Sequence, residues 1–178
     1  MEIGAAQRDV RTTYVGGFYG QLVAGVLWLV AAAVGTWASP GWAMATLLFG
    51  GMLIYPLTVV SLRLAGRPGS LPAGHPMAGL AMQVAFTVPL GLLVALAASG
   101  YRQEWFFPAS MIVVGAHYLP FTFLYGMRLF ALLAAVLVCG GVGLALWVPH
   151  PFSAGGWLGG ATLVLFAFLL RFRVGGSE

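Results

Sequence analysis

Few side chains in this sequence could do chemistry, and His117 stands out among them. It lies in Gly115-Ala-His-Tyr-Leu-Pro-Phe-Thr-Phe-Leu-Tyr-Gly126, inside a long apolar run, where an ionisable group is costly and marks a functional site by default. Pro120, three residues on, removes a backbone N–H and frees the carbonyl of Ala116, as Pro56 does for Met52 and Pro89 for Ala85. Side chains or water must meet those carbonyls, because lipid cannot. Gln21, Tyr55, Gln83 and His117 stand six to eight residues from the inner ends of their apolar runs, which sets all four about 10 Å below one boundary. Such a layer suits a pocket for a small neutral or anionic solute. His117 would be its proton gate, Tyr118 a further wall and Arg128 its mouth. The plainer alternative is that these residues bridge helices and satisfy the freed carbonyls, at about 0.6–2 kcal/mol per bond.

Catalysis is poorly served. Glu2, Asp9, Glu104 and Glu178 are the only acids, and all lie outside the apolar runs. There is no paired acid, no HExxH or His-x-x-x-His arrangement and no Ser/His/Asp set close in sequence, so no catalytic residue, metal ligand or cofactor is assigned. An embedded enzyme would leave His117 with only tyrosine to orient it. His75 and His150 fall on opposite membrane faces, which disfavours a bis-histidine haem and leaves His117 with a methionine as the one axial pair still open. Cys139 is the lone cysteine and can form no internal disulfide.

The elements that must position these groups are helices in a bilayer. Of 178 residues, 61% are hydrophobic and 7% charged, against roughly 25% charged in a soluble domain. Apolar runs at about 15–38, 42–62, 77–98, 106–125, 129–148 and 157–170 each approach the ~20 residues that cross a membrane as a helix. Alternation is absent, which excludes a transmembrane barrel. The fold class is all-α: one polytopic transmembrane domain over 1–178, six helices in one compact bundle. Met1–Tyr14 reads as a polar leader, and the run after it is too long for a signal-peptide core, so it is a retained span. Pro40-Gly41 reads as a tight turn. Residues 63–76, with three prolines, form the longest polar connection.

The charge is +4, from eight arginines and no lysine. Seven of them (Arg8, Arg11, Arg63, Arg67, Arg128, Arg171, Arg173) fall on the side of both termini and only Arg102 on the other, which places both termini in the cytoplasm. Trp37, Trp42, Trp105, Trp147 and Trp157 fall near the outer span ends, as an aromatic belt requires. Arginines scattered this way set topology in a lipid bilayer and give no nucleic-acid surface.

Gly16/Gly20, Gly155/Gly159 and Gly156/Gly160 have the spacing that lets helices approach closely, within the monomer or at a homo-oligomer seam. Gly51-Met-Leu-Ile-Tyr-Pro-Leu-Thr58 and Gly115-Ala-His-Tyr-Leu-Pro-Phe-Thr122 share the pattern Gly-x-x-x-x-Pro-x-Thr. The preceding spans hold Gln21 and Gln83, so the first four helices read as two related hairpins. Repeats of this kind are common in small transport folds.

Phe107-Pro108-Ala109, Gly115–Phe121 and Leu124-Tyr-Gly-Met127, with Gly16–Gln21 and Tyr55-Pro56-Leu57, resemble a family of small six-span bacterial membrane proteins of unknown function. The resemblance covers most of the chain to about residue 130. It implies a bacterial inner-membrane location and no particular activity. A channel or carrier for a small solute is the reading these features favour. A non-catalytic subunit held by a membrane partner is the alternative, and an embedded enzyme the second.

Overall fold

Apolar runs with no period of two fold as helices, since only a helix meets all its own backbone hydrogen bonds in lipid. The computed structural model describes residues 2–175, so Glu178 lies outside it. Eight α-helices follow in order: α1 (Ile3–Thr13), α2 (Phe18–Trp37), α3 (Pro40–Gly51), α4 (Ile54–Leu64), α5 (Ala78–Ser99), α6 (Phe106–Tyr125), α7 (Leu129–Leu146) and α8 (Ala154–Gly175). No strand occurs among the described residues. Five helices (α2, α5, α6, α7, α8) are long and apolar enough to cross a membrane, and α3 with α4, bent by 55° at the break between them, passes the same test only as a pair, with the shape of a broken span or a re-entrant loop. Together they make one all-helical bundle.

Three local expectations need correction. The leader is a helix. Ala6 and Val10 of α1 are buried on one face, while Gln7 Nε2 donates to the Phe123 carbonyl and Arg11 to the Tyr125 carbonyl, both at 2.6 Å. Those are among the last carbonyls of α6, beyond which the helix supplies no full turn of N–H donors; the Phe123 carbonyl also accepts from the Gly126 N–H at 3.2 Å. Pro40-Gly41 opens α3 instead of turning the chain: Ser39 is the N-cap, accepting from the Trp42 N–H at 3.3 Å, and proline at the first helical position loses no bond. The last helix starts at Ala154, three residues before the expected 157. Its Gly155 lies against Phe107 of α6, so its glycine-rich opening is packed helix.

Glycine sets the close seams of the bundle centre. In the α2–α8 seam, a Cβ at Gly159 would stand 2.6 Å from the Trp28 ring, and one at Gly25 2.7 Å from Val164. In the α6–α7 seam, a Cβ at Gly141 would stand 2.6 Å from the Pro108 carbonyl, and one at Gly115 2.8 Å from Val138. A larger residue fits at none of these unless a neighbour shifts, and at Gly141 that neighbour is backbone. Gly155, Gly156, Gly159 and Gly160 all face neighbours within the monomer. Phe106, Phe107, Met111, Phe130, Leu133 and Leu137 fill the space between the seams.

At the end carrying α1, the chain turns into α2 through Val15, Gly16 and Gly17, all with positive φ (50°, 64° and 86°). Gly16 suits this turn and lies against Leu170 and Val174 near the end of α8. Val15 bears the strain of a β-branched residue there.

Candidate functional site

His117 sits half-buried on the α6 side of the α5–α6 seam. Its Nδ1 lies 2.9 Å from the Val84 carbonyl oxygen, and since a carbonyl only accepts, Nδ1 carries the proton. The Thr87 hydroxyl donates to the same carbonyl at 2.7 Å and lies 3.2 Å from Nδ1. Val84 neighbours Ala85, whose helical partner would be Pro89. His117 therefore ties α6 to α5 in the turn that Pro89 disrupts, while its ring packs on Tyr118 and Phe121. Both α5 and α6 continue as helix through Pro89 and Pro120.

Gln21 is in a different place. It is 3% exposed, and among the described residues neither its Oε1 nor its Nε2 has a hydrogen-bond partner. Such a group costs about 1–3 kcal/mol when left unmet. Its neighbours follow from register. Trp28, seven residues on and on the same face of α2, touches Phe107 of α6 at 6.0 Å between rings. At the other end Gly17 lies against Tyr125 of α6. These contacts set α2 and α6 antiparallel, with Gln21 level with the turn of α6 that holds Tyr118 and Thr122. Thr122 Oγ1 is also buried without a partner. Tyr118 is buried, stacked on Phe130 at 6.0 Å. Gln21 and Thr122 are thus both buried and unmet, at a similar height by this register, while Phe18 and Gly25 on either side of Gln21 lie against α8.

The remaining members of the expected layer lie elsewhere. Tyr55 is 65% exposed and Gln83 is also exposed, one on α4 and the other on α5, so they do not join Gln21 in the core. The two echo segments also differ. In the first, the ladder breaks at Met52 and Leu53, where N–H groups reach back only three residues, to Phe49 and Gly50. Pro56 then falls in the first turn of α4, where no N–H is needed. The second segment is continuous α6. Arg128, with Arg11 and Arg173, lines an open cleft of about 570 Å³ at the end of the bundle that carries α1, and none of Gln21, Tyr55, Gln83 or His117 is in its wall.

Thr87, Tyr125, Arg11 and Arg173 were not singled out by sequence. Thr87 could have been found, since it sits two residues before Pro89 and one turn beyond Gln83. The arginines carried only a topology signal. The connection between α4 and α5 folds back over α1: His75 is buried and its Nε2 lies 3.7 Å from Asp9. Burial raises the Tyr14 phenol above its ordinary value, opposed by the Leu71 backbone.

No curated protein and no solved structure matches the chain. The profile of a family of unknown function, DUF7010, matches residues 3–173. That span runs well past residue 130, so the last two helices belong to the shared pattern as much as the first six. The chain is a member of the DUF7010 family.

Proposed function

We propose that this membrane protein is a channel or carrier for a small polar solute, neutral or anionic, which is met inside the bundle by Gln21, Thr122 and Tyr118. The observation that carries this reading is the Gln21 carboxamide, buried with both polar atoms unmet. A carboxamide offers donors and acceptors together, so it suits a neutral solute or one spread negative charge, and there is no buried carboxylate in this layer to draw a cation. The broken α3–α4 span supports the same reading, because Gly20, next to Gln21, lies against Thr58 of α4. A bent helix against a polar layer is a feature of transport folds. In this reading both termini are cytoplasmic, the membrane is the bacterial inner membrane and the solute enters past Arg128. His117 holds α5 to α6 and positions the layer.

The test replaces Cys139 with alanine and introduces Gln21→Cys or Thr122→Cys. Labelling by a membrane-impermeant thiol reagent in inverted vesicles, and much slower labelling in right-side-out vesicles, is the expected result. A folded variant that stays unlabelled from both sides would overturn the solute path.

A second reading is favoured by one observation. Gln83 and Tyr55 are exposed on the α4–α5 flank, and a carboxamide facing lipid at that depth is costly. A membrane partner subunit or a second copy seated on this flank would meet it. Cross-linking from a cysteine at Gln83 distinguishes a second copy from another protein.

A further inference from the structure

The cleft at the α1 end, which is the entrance in the solute reading, carries an inference that does not depend on that reading. Three arginines from three separate segments line it: Arg11 from α1, Arg128 from the α6–α7 junction and Arg173 from α8. The rest of its wall is Gly126, Met127, Leu129, Leu132 and Val174. None of the three arginines belongs to either ion pair among the described residues, which join His75 with Asp9 and Arg102 with Glu104. One guanidinium N–H of Arg11 donates to the Tyr125 carbonyl, which fixes the side chain and leaves its other donors available. Arg128 and Arg173 are exposed.

Topology alone asks only that arginines lie on one side of the membrane. It does not ask that three of them surround one cleft, where like charges repel. An anion seated between them would relieve that repulsion. Guanidinium groups present planar forks that match two oxygens of a tetrahedral oxyanion, a fit that a spherical halide cannot use. Leu129 opens α7 at the same wall, so the positive end of that helix adds to the field. The cleft is also amphiphilic. Its leucines and methionine border the apolar runs, and its arginines lie at or near the ends of those runs.

We propose that this cleft binds a phosphate group, carried by an anionic phospholipid headgroup or by a small soluble phosphate compound. The experiment uses the full-length protein in nanodiscs. One arm raises phosphatidylglycerol against a phosphatidylcholine background and reads lipids retained by native mass spectrometry. The other keeps phosphatidylcholine alone and reads the thermal midpoint against inorganic pyrophosphate. Arg128→Gln with Arg173→Gln is the test variant, since both side chains are exposed and neither supports α6 as Arg11 does. Arg102→Gln, at the opposite end, is the control.

Retention of phosphatidylglycerol by wild type, weakened about tenfold or more in the double variant and steeply reduced by salt, assigns the lipid source. A midpoint raised by pyrophosphate, and lost in the double variant, assigns the soluble one. If wild type distinguishes neither probe, or if the double variant binds as wild type does, the proposal is overturned. An equal loss in Arg102→Gln would also overturn it, because the effect would then be one of net charge.

Discussion

Gly159 in α8 and Gly79 in α5 are both glycines in apolar helices, and their surroundings are opposite. A Cβ at Gly159 would stand 2.6 Å from the Trp28 ring, whereas one at Gly79 would meet nothing within 4 Å. The contrast extends to whole regions. Helices α2, α6, α7 and α8 interlock through glycine and bury the aromatic centre of the molecule. In the flank of α3, α4 and α5, Met52, Leu53, Leu57, Phe86, Leu90, Leu93 and Val94 are all exposed. Lipid tails are as apolar as leucine, so hydrophobicity does not pull a helix inward in a membrane; shape and hydrogen bonds do. The flank has such features only along its edges, where Gly50 lies close against Leu27 and Gly91 against Val113. Its links to the core include the His117 bridge and the contacts of Gly20 with Thr58 and Gly91 with Val113.

The largest effect that would sharpen this contrast is at a glycine seam. Gly141→Ala places a methyl against the Pro108 carbonyl, a backbone atom that cannot swing away. It should lower stability by about 2–3 kcal/mol, the upper range for overpacking. Gly79→Ala in the flank should stay within about 0.5 kcal/mol. Unfolding in mixed detergent measures both, and equal costs would break the division into core and flank. Next in size is His117→Ala, which removes the bond to Val84. We expect a loss of about 1–2 kcal/mol, together with faster proteolysis of the connection before α5. Thr87→Val should cost less, because His117 keeps its own bond to Val84. A His117→Ala protein as stable as wild type would show that the flank is held by other contacts.

A smaller effect of opposite sign is expected in the core. Gln21→Met keeps an unbranched side chain of similar length and removes two unmet polar atoms, so stability should rise by about 1 kcal/mol while solute passage falls. Gln83→Met in the flank should leave passage intact. If Gln21→Met destabilises the protein, then its carboxamide is satisfied in the membrane and the solute site loses its main support.

The two glutamines also show where sequence reading stops. Span lengths and their order could be read because a bilayer demands a run of fixed length, and α6 begins and ends where its apolar run does. Rotation about each axis could not be read. α5 is apolar all round, so no polar stripe shows which side of it Gln83 takes. Gln21 and Gln83 look alike in sequence and differ in the structure, one sealed in the core and the other on the surface. Helix α1 was hidden for another reason: it is short and mostly polar, and its order depends on α6 carbonyls more than a hundred residues away. Its apolar pair, Ala6 and Val10, has the right spacing but too few members to declare a helix.

The bend in the flank separates two causes that the sequence places side by side. Pro56 cannot bond to Met52, and its ring crowds that carbonyl, which is where the ladder stops. Gly50 and Gly51 lie just before the break and lower helix propensity there. With 12 residues in α3 and 11 in α4, straightening the 55° bend would lengthen the span by about 4 Å. Pro56→Ala should close most of that bend with only a slight change in stability, since in its present place the proline forfeits no bond. Spin labels at Gly41 and Arg63, both exposed, would read the change as a longer distance. An unchanged distance would assign the bend to the glycine pair and to the contact of Gly50 with Leu27. The flank would then be shaped by the same device as the core, and the contrast between them would be one of degree.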